Sequence, residues 1–167
     1  TLPGAGISCF ACSEANMDYM TKLIGIQAIS FDKMNQLRHV KFLQNKEHTL
    51  ALMKEHAKIL KPKFEMVVST LEREIAPLGI ACWHTPKGGY FVSVNTAPGL
   101  AKRTLALCKE AGVVMTSAGA TYPYGHDPLD SNIRVAPSLP PVEELEQAMA
   151  VFCCCLKLAA LEQAYKF

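Results

Sequence analysis

The residue best suited to chemistry in this sequence is Arg134, in the string Asn132-Ile133-Arg134-Val135-Ala136-Pro137. Turn formers bracket it, with Asp127, Pro128 and Asp130 before and Pro137 after, so a short strand is predicted over residues 132–136. Alternation puts Ile133 and Val135 on one face and Asn132, Arg134 and Ala136 on the other. A guanidinium on such a strand has little room to retreat into water and needs an anion. Its planar fork suits a carboxylate held by two hydrogen bonds. That anion is either internal, from Asp127, Asp130 or a helix glutamate, or belongs to a bound small acid. Spacing alone leaves both open.

Other chemistries fail on residue type or geometry. Cys9-Phe10-Ala11-Cys12 has the spacing of a redox pair, but Ile7 to Ala11 reads as a strand, on which thiols three apart point to opposite faces. Both are therefore expected as core cysteines. Cys153, Cys154 and Cys155 fall in a helix, where neighbours are about 100° apart and cannot share one metal. They read as small hydrophobes. His48 and His56 lie roughly 12 Å apart along a helix, too far for one ion. His126 beside Asp127 could form an acid–base pair, yet both lie in a turn-rich loop where Asp127 is better read as a turn maker. Gly119-Ala120-Thr121 lacks the serine of a nucleophile elbow. Gly4 and Gly6 lack the third glycine of a dinucleotide fingerprint, Cys9 standing in its place, and Lys87-Gly88-Gly89 is not a phosphate loop. No metal site and no self-contained active site are expected.

Composition narrows the class. Of 167 residues half are hydrophobic and 19% charged, which suits a packed core rather than a disordered chain. A net charge of +2, with the lysines dispersed, gives no reason to expect nucleic acid. The longest apolar run, Ala148 to Leu156, is well short of the ~20 residues of a membrane span. The N-terminus has no basic-then-apolar leader pattern. Seven cysteines without disulfide-like spacing fit a reducing, cytoplasmic setting.

The elements that must position Arg134 can be read in order. The chain opens at Thr1 without a methionine and runs at once into the apolar strand, as if cut inside a domain. Ser13-Glu14 starts a helix through about Ile24, and Asp32 caps another through Leu43, with Asn35, Gln36, Arg38 and His39 on a solvated or interface face. Asn45 caps a long helix whose apolar positions, Leu50 to Leu78, step by three and four. Pro62 should kink or divide it, and Pro77 and Gly79 end it. Strands over Ile80–His84 and Tyr90–Asn95 flank a glycine-bearing hairpin connection. Pro98-Gly99 opens a helix through Ala111, a short strand covers Val113–Met115, and a turn-rich loop leads to the Arg134 strand. Pro140-Pro141-Val142-Glu143-Glu144 begins the last helix, with Leu145, Met149, Phe152 and Leu156 as its core stripe. The expected class is α+β: a small, largely antiparallel sheet with helices packed on one face, preceded by a long kinked helix.

Taken in order, Trp83-His84-Thr85-Pro86-Lys87-Gly88-Gly89-Tyr90-Phe91-Val92, Gly119-Ala120-Thr121-Tyr122-Pro123-Tyr124-Gly125 and the Asp127 to Ser138 segment resemble the C-terminal part of a fold-type I, pyridoxal-phosphate-dependent aminotransferase. The narrower resemblance is to a bacterial, aspartate-aminotransferase-like subgroup of class I, and it covers essentially the whole chain. It implies a remnant strand and helices of the large cofactor-binding domain over residues 1–45, a bridging helix over 46–78 and the small domain over 79–167. It also implies that Arg134 pairs with the substrate's α-carboxylate, that the Gly88-Gly89 turn comes close to the active site, and that the small domain moves to close over substrate.

By the same resemblance the substrates are an amino acid and a 2-oxo acid, and the parent is a cytoplasmic homodimer. The Schiff-base lysine belongs upstream of Thr1, Lys22 being on a helix, so the chain alone is expected to be inactive and to hold no cofactor aldimine. Gly4 to Ser8 lack the arginine that many relatives use for the cofactor's phosphate. Arg38 is a candidate to reach a second substrate carboxylate across a dimer interface. The alternative is a stand-alone ligand-sensing or interaction domain derived from the same fold.

Overall fold

The computed structural model describes residues 5–165, so Thr1 and Gly4 lie outside the described residues. The chain divides into two compact units, Thr1–Glu55 and His56–Phe167.

In the first unit, α1 (Glu14–Gln27) is followed by α2 (Lys33–Leu43) and the start of α3 (Lys46–Glu74). The caps act where the sequence puts them. Asp32 accepts a hydrogen bond from the Asn35 amide at 2.9 Å, and Asn45 accepts one from the His48 amide at 2.8 Å, each satisfying a helix-start donor that has no partner inside its helix. Residues 5–13, expected to hold a strand over Ile7–Ala11, form no ladder with any described strand. Cys9 and Cys12 are consequently exposed rather than core thiols. Apolar content alone does not make a strand, because the backbone needs a partner for its amides and carbonyls. Asn35, expected on an open face, is buried, with its side-chain nitrogen donating to the Gly6 carbonyl at 3.2 Å.

The second unit carries the core. From α3 the chain passes through a short 3-10 turn (Ala76–Leu78) to β1 (Ala81–Trp83), β2 (Val92–Thr96), α4 (Ala101–Glu110), a second 3-10 turn (Pro123–Gly125), β3 (Asn132–Val135) and α5 (Val142–Ala164). The strands form an antiparallel sheet in the order β1-β2-β3, with Val94 opposite Ile133 and Ser93 opposite Arg134. On one face Val92, Val94, Ile133 and Val135 are buried, together with Val67 and Leu71 of α3, Ile75 just after it, Leu107 of α4, and Met149, Phe152 and Leu156 of α5. This is the expected α+β arrangement, helices covering one side of a small sheet.

Helix α3 runs unbroken through Pro62. Of its apolar series, Val67, Leu71 and Ile75 are buried, whereas Leu50, Met53 and Leu78 are exposed. No strand forms over Val113–Met115. Instead Gly112 takes φ +88°, and the Val113 amide donates back to the Cys108 carbonyl at 2.8 Å, closing the end of α4.

Ion pairs join the helices at the surface. Lys157 of α5 donates to Glu74 of α3 at 2.7 Å, and Arg103 of α4 grips Glu162 of α5 through two bonds of 2.6 and 2.7 Å. All four side chains are a third or more exposed, so these pairs fix geometry more than they stabilise.

Candidate carboxylate-binding site

The opposite face of the sheet is polar. Alternation along β2 and β3 sets Ser93 and Asn95 beside Asn132 and Arg134, and extends by one step to Phe91, just before β2. Phe91 is thus the diagonal neighbour of Arg134 on the segment leading into the adjacent strand, within reach of an aromatic ring. The guanidinium carbon of Arg134 lies 4.5 Å from the centre of that ring.

Neither aspartate proposed as an internal partner reaches Arg134. The Asp127 carboxylate accepts backbone amides from Leu129 at 3.0 Å, Ser131 at 2.8 Å and Asn132 at 2.7 Å. These bonds, that from Asn132 foremost, hold Asp127 below the usual carboxylate range. Asp127 therefore makes the turn, as its loop setting implies. Asp130 accepts from the Lys102 amide at 3.2 Å and stands in the left-handed region at φ 47°. Among the described residues Arg134 has no ion pair and no hydrogen-bonding partner. Its Nε is buried without a partner, and the residue as a whole is half-buried.

Asn132 anchors this strand. Its side-chain nitrogen donates to Ser93 Oγ at 2.9 Å and Asn95 Oδ1 at 2.7 Å, and its Oδ1 accepts from Thr121 Oγ1 at 2.7 Å. One buried amide thereby ties β3 to β2 and to the 117–126 loop. That loop folds on itself, the Tyr122 amide donating to Gly119 and the Gly125 amide to Tyr122. Gly119 has φ +82°, and a Cβ there would run into the Gly125 carbonyl, so this position requires glycine. After β3, Lys63 of α3 donates to the Ser138 carbonyl at 2.9 Å and secures the following turn.

Sequence reading singled out Arg134 but not its neighbours Phe91, Ser93 and Asn95, nor Thr121, which bonds Asn132. The strand predicted over Tyr90–Asn95 already put Phe91, Ser93 and Asn95 on one face; the register that sets them beside Arg134 is a tertiary fact. Arg38 is exposed on α2 and has no acidic partner among the described residues.

Comparison with known proteins shows the family. A family model described as aspartate amino-transferase matches residues 1–166. The chain belongs to the aspartate amino-transferase family. An aspartate aminotransferase of Corynebacterium glutamicum is 46% identical over 162 residues, covering 97% of this chain and 38% of that protein. The crystal structure of an aspartate transaminase from the same species superimposes with a TM-score of 0.80 at 45% identity, over 90% of this chain and 36% of the other. An α-aminoadipate aminotransferase from Thermus thermophilus shares the fold, with a TM-score of 0.69 at 17% identity over 89% of this chain and 37% of the other. The chain thus spans well under half the length of these aminotransferases, corresponding to their C-terminal part.

Pyridoxal phosphate is the cofactor that the family implies, and the residues weighed for it can be placed. Lys22 is exposed on α1, and Gly6, Ile7 and Ser8 bring no cation to hold a phosphate.

Proposed function

We propose that the parent protein is a pyridoxal-phosphate-dependent aminotransferase moving an amino group between an amino acid and a 2-oxo acid, and that this chain supplies the Arg134 site for the substrate's carboxylate. The observation carrying this reading is a guanidinium with no acid of its own among the described residues, its carbon 4.5 Å from the centre of the Phe91 ring and its Nε buried without a partner. A single carboxylate at that edge satisfies the charge and orients the amino acid about one axis. The cofactor supplies the electron sink for amino-group chemistry and is held by parts of the parent outside this chain. A cytoplasmic homodimer is the assembly that goes with this reading.

In the full-length protein, Arg134→Ala should lower kcat/KM for the amino acid about 100-fold or more, since a charge-assisted pair of bonds is lost in the transition state. Near-normal transamination would refute the assignment. The chain alone should form no 2-oxo acid from an amino acid with added cofactor and should develop no aldimine absorption band.

A further inference from the structure

We propose that Phe91 is a positioning residue for the substrate's carboxylate, its ring holding the Arg134 guanidinium by one face so that an acid can dock only end-on, across the two terminal nitrogens. This rests on the Arg134 reading above and adds to it the docking direction and the residue that sets it.

A guanidinium can receive a carboxylate side-on, through Nε and one terminal nitrogen, or end-on, through both terminal nitrogens. Here Nε is buried and unpartnered, which closes the side-on approach. The Phe91 ring, its centre 4.5 Å from the guanidinium carbon, limits where the guanidinium can move, so the terminal nitrogens are what remain for an acid. Phe91 is itself 46% exposed, so it borders open space rather than serving the core. Its own placement is secured by β2, whose register with β3 sets Ser93 opposite Arg134. A free arginine samples many rotamers. Stacking removes most of them before substrate arrives, and attraction between the ring and the cation supports the charged, outward-facing pose.

The test uses the full-length enzyme with Phe91→Leu, Phe91→Tyr, Arg134→Ala and the double variant Phe91→Leu/Arg134→Ala. Propionate, a carboxylate with no amino group to transfer, is the calorimetric probe. Kinetics are compared for an amino acid and for the amine lacking its carboxyl group. Phe91→Leu should weaken propionate roughly 3- to 30-fold and raise KM for the amino acid by a similar factor. The amine should be unaffected, Phe91→Tyr should restore wild-type affinity, and Phe91→Leu should add nothing once Arg134 is alanine. Unchanged propionate affinity, an equal loss for the amine, or a loss persisting in the Arg134→Ala background would each overturn the proposal. If Arg134→Ala alone keeps full propionate affinity, it is the Arg134 assignment that fails. Should Phe91→Leu not fold, the unmodified protein still decides the matter: a structure with propionate bound must have both terminal nitrogens on the acid, and a side-on acid contradicts the inference.

Discussion

Two buried polar side chains hold the strand that carries Arg134 and the turn before it. Asn132 makes three side-chain hydrogen bonds joining β2, β3 and the 117–126 loop. Asn132→Ala leaves those partners unsatisfied and should cost about 1–3 kcal/mol in denaturant unfolding. Asp127 acts through charge. Its pKa is lowered in the fold, so its contribution is present above the unfolded value of ~3.9 and is lost as pH falls through the lower native value. Asp127→Asn should therefore be less stable at neutral pH and should show a shallower decline in melting temperature on acidification. Both residues were visible in the sequence as turn and strand formers. The bonding of Asn132 was not, because its partners Ser93 and Asn95 lie almost forty positions away and only the register brings them together.

Elements were more legible than contacts. Helix starts at Asp32 and Asn45, the end of α4 at Gly112 and the core stripe of α5 follow from local rules, and each is found where those rules place it. The expected strands at 7–11 and 113–115 are absent among the described residues, since a strand also needs a neighbour, which local pattern does not supply. Packing of elements also decides thiol reactivity. Burial pushes Cys108 up to about 12 and Cys153 up to about 11. In the native chain iodoacetamide should label Cys9, Cys12, Cys82 and Cys154, and reach Cys108, Cys153 and Cys155 only after denaturation. Gly119→Ala should lower the melting temperature and loosen the 117–126 loop, seen as faster amide exchange, because no side chain fits beside the Gly125 carbonyl.

For the whole molecule, the two units differ in completeness. The His56–Phe167 unit has a closed core, and Phe152→Ala within it should cost about 3–5 kcal/mol. The Thr1–Glu55 unit leaves Ile26, Ile29, Met34 and Val40 largely exposed, and the chain spans 38% of its aspartate aminotransferase relative. This chain alone should therefore bind an apolar dye such as ANS and associate with itself, and joining it to the rest of the parent should suppress both. No helix among the described residues is long and apolar enough to cross a membrane.

The uncancelled charge on Arg134 has a practical meaning at the bench. On the proposed reading, acetate, citrate and sulfate should each offer oxygens to the Arg134 guanidinium and compete with whatever acid is under study. Affinities measured in those buffers will read too weak, and raising ionic strength will weaken them further. A crystal grown from sulfate should carry an ion against those nitrogens.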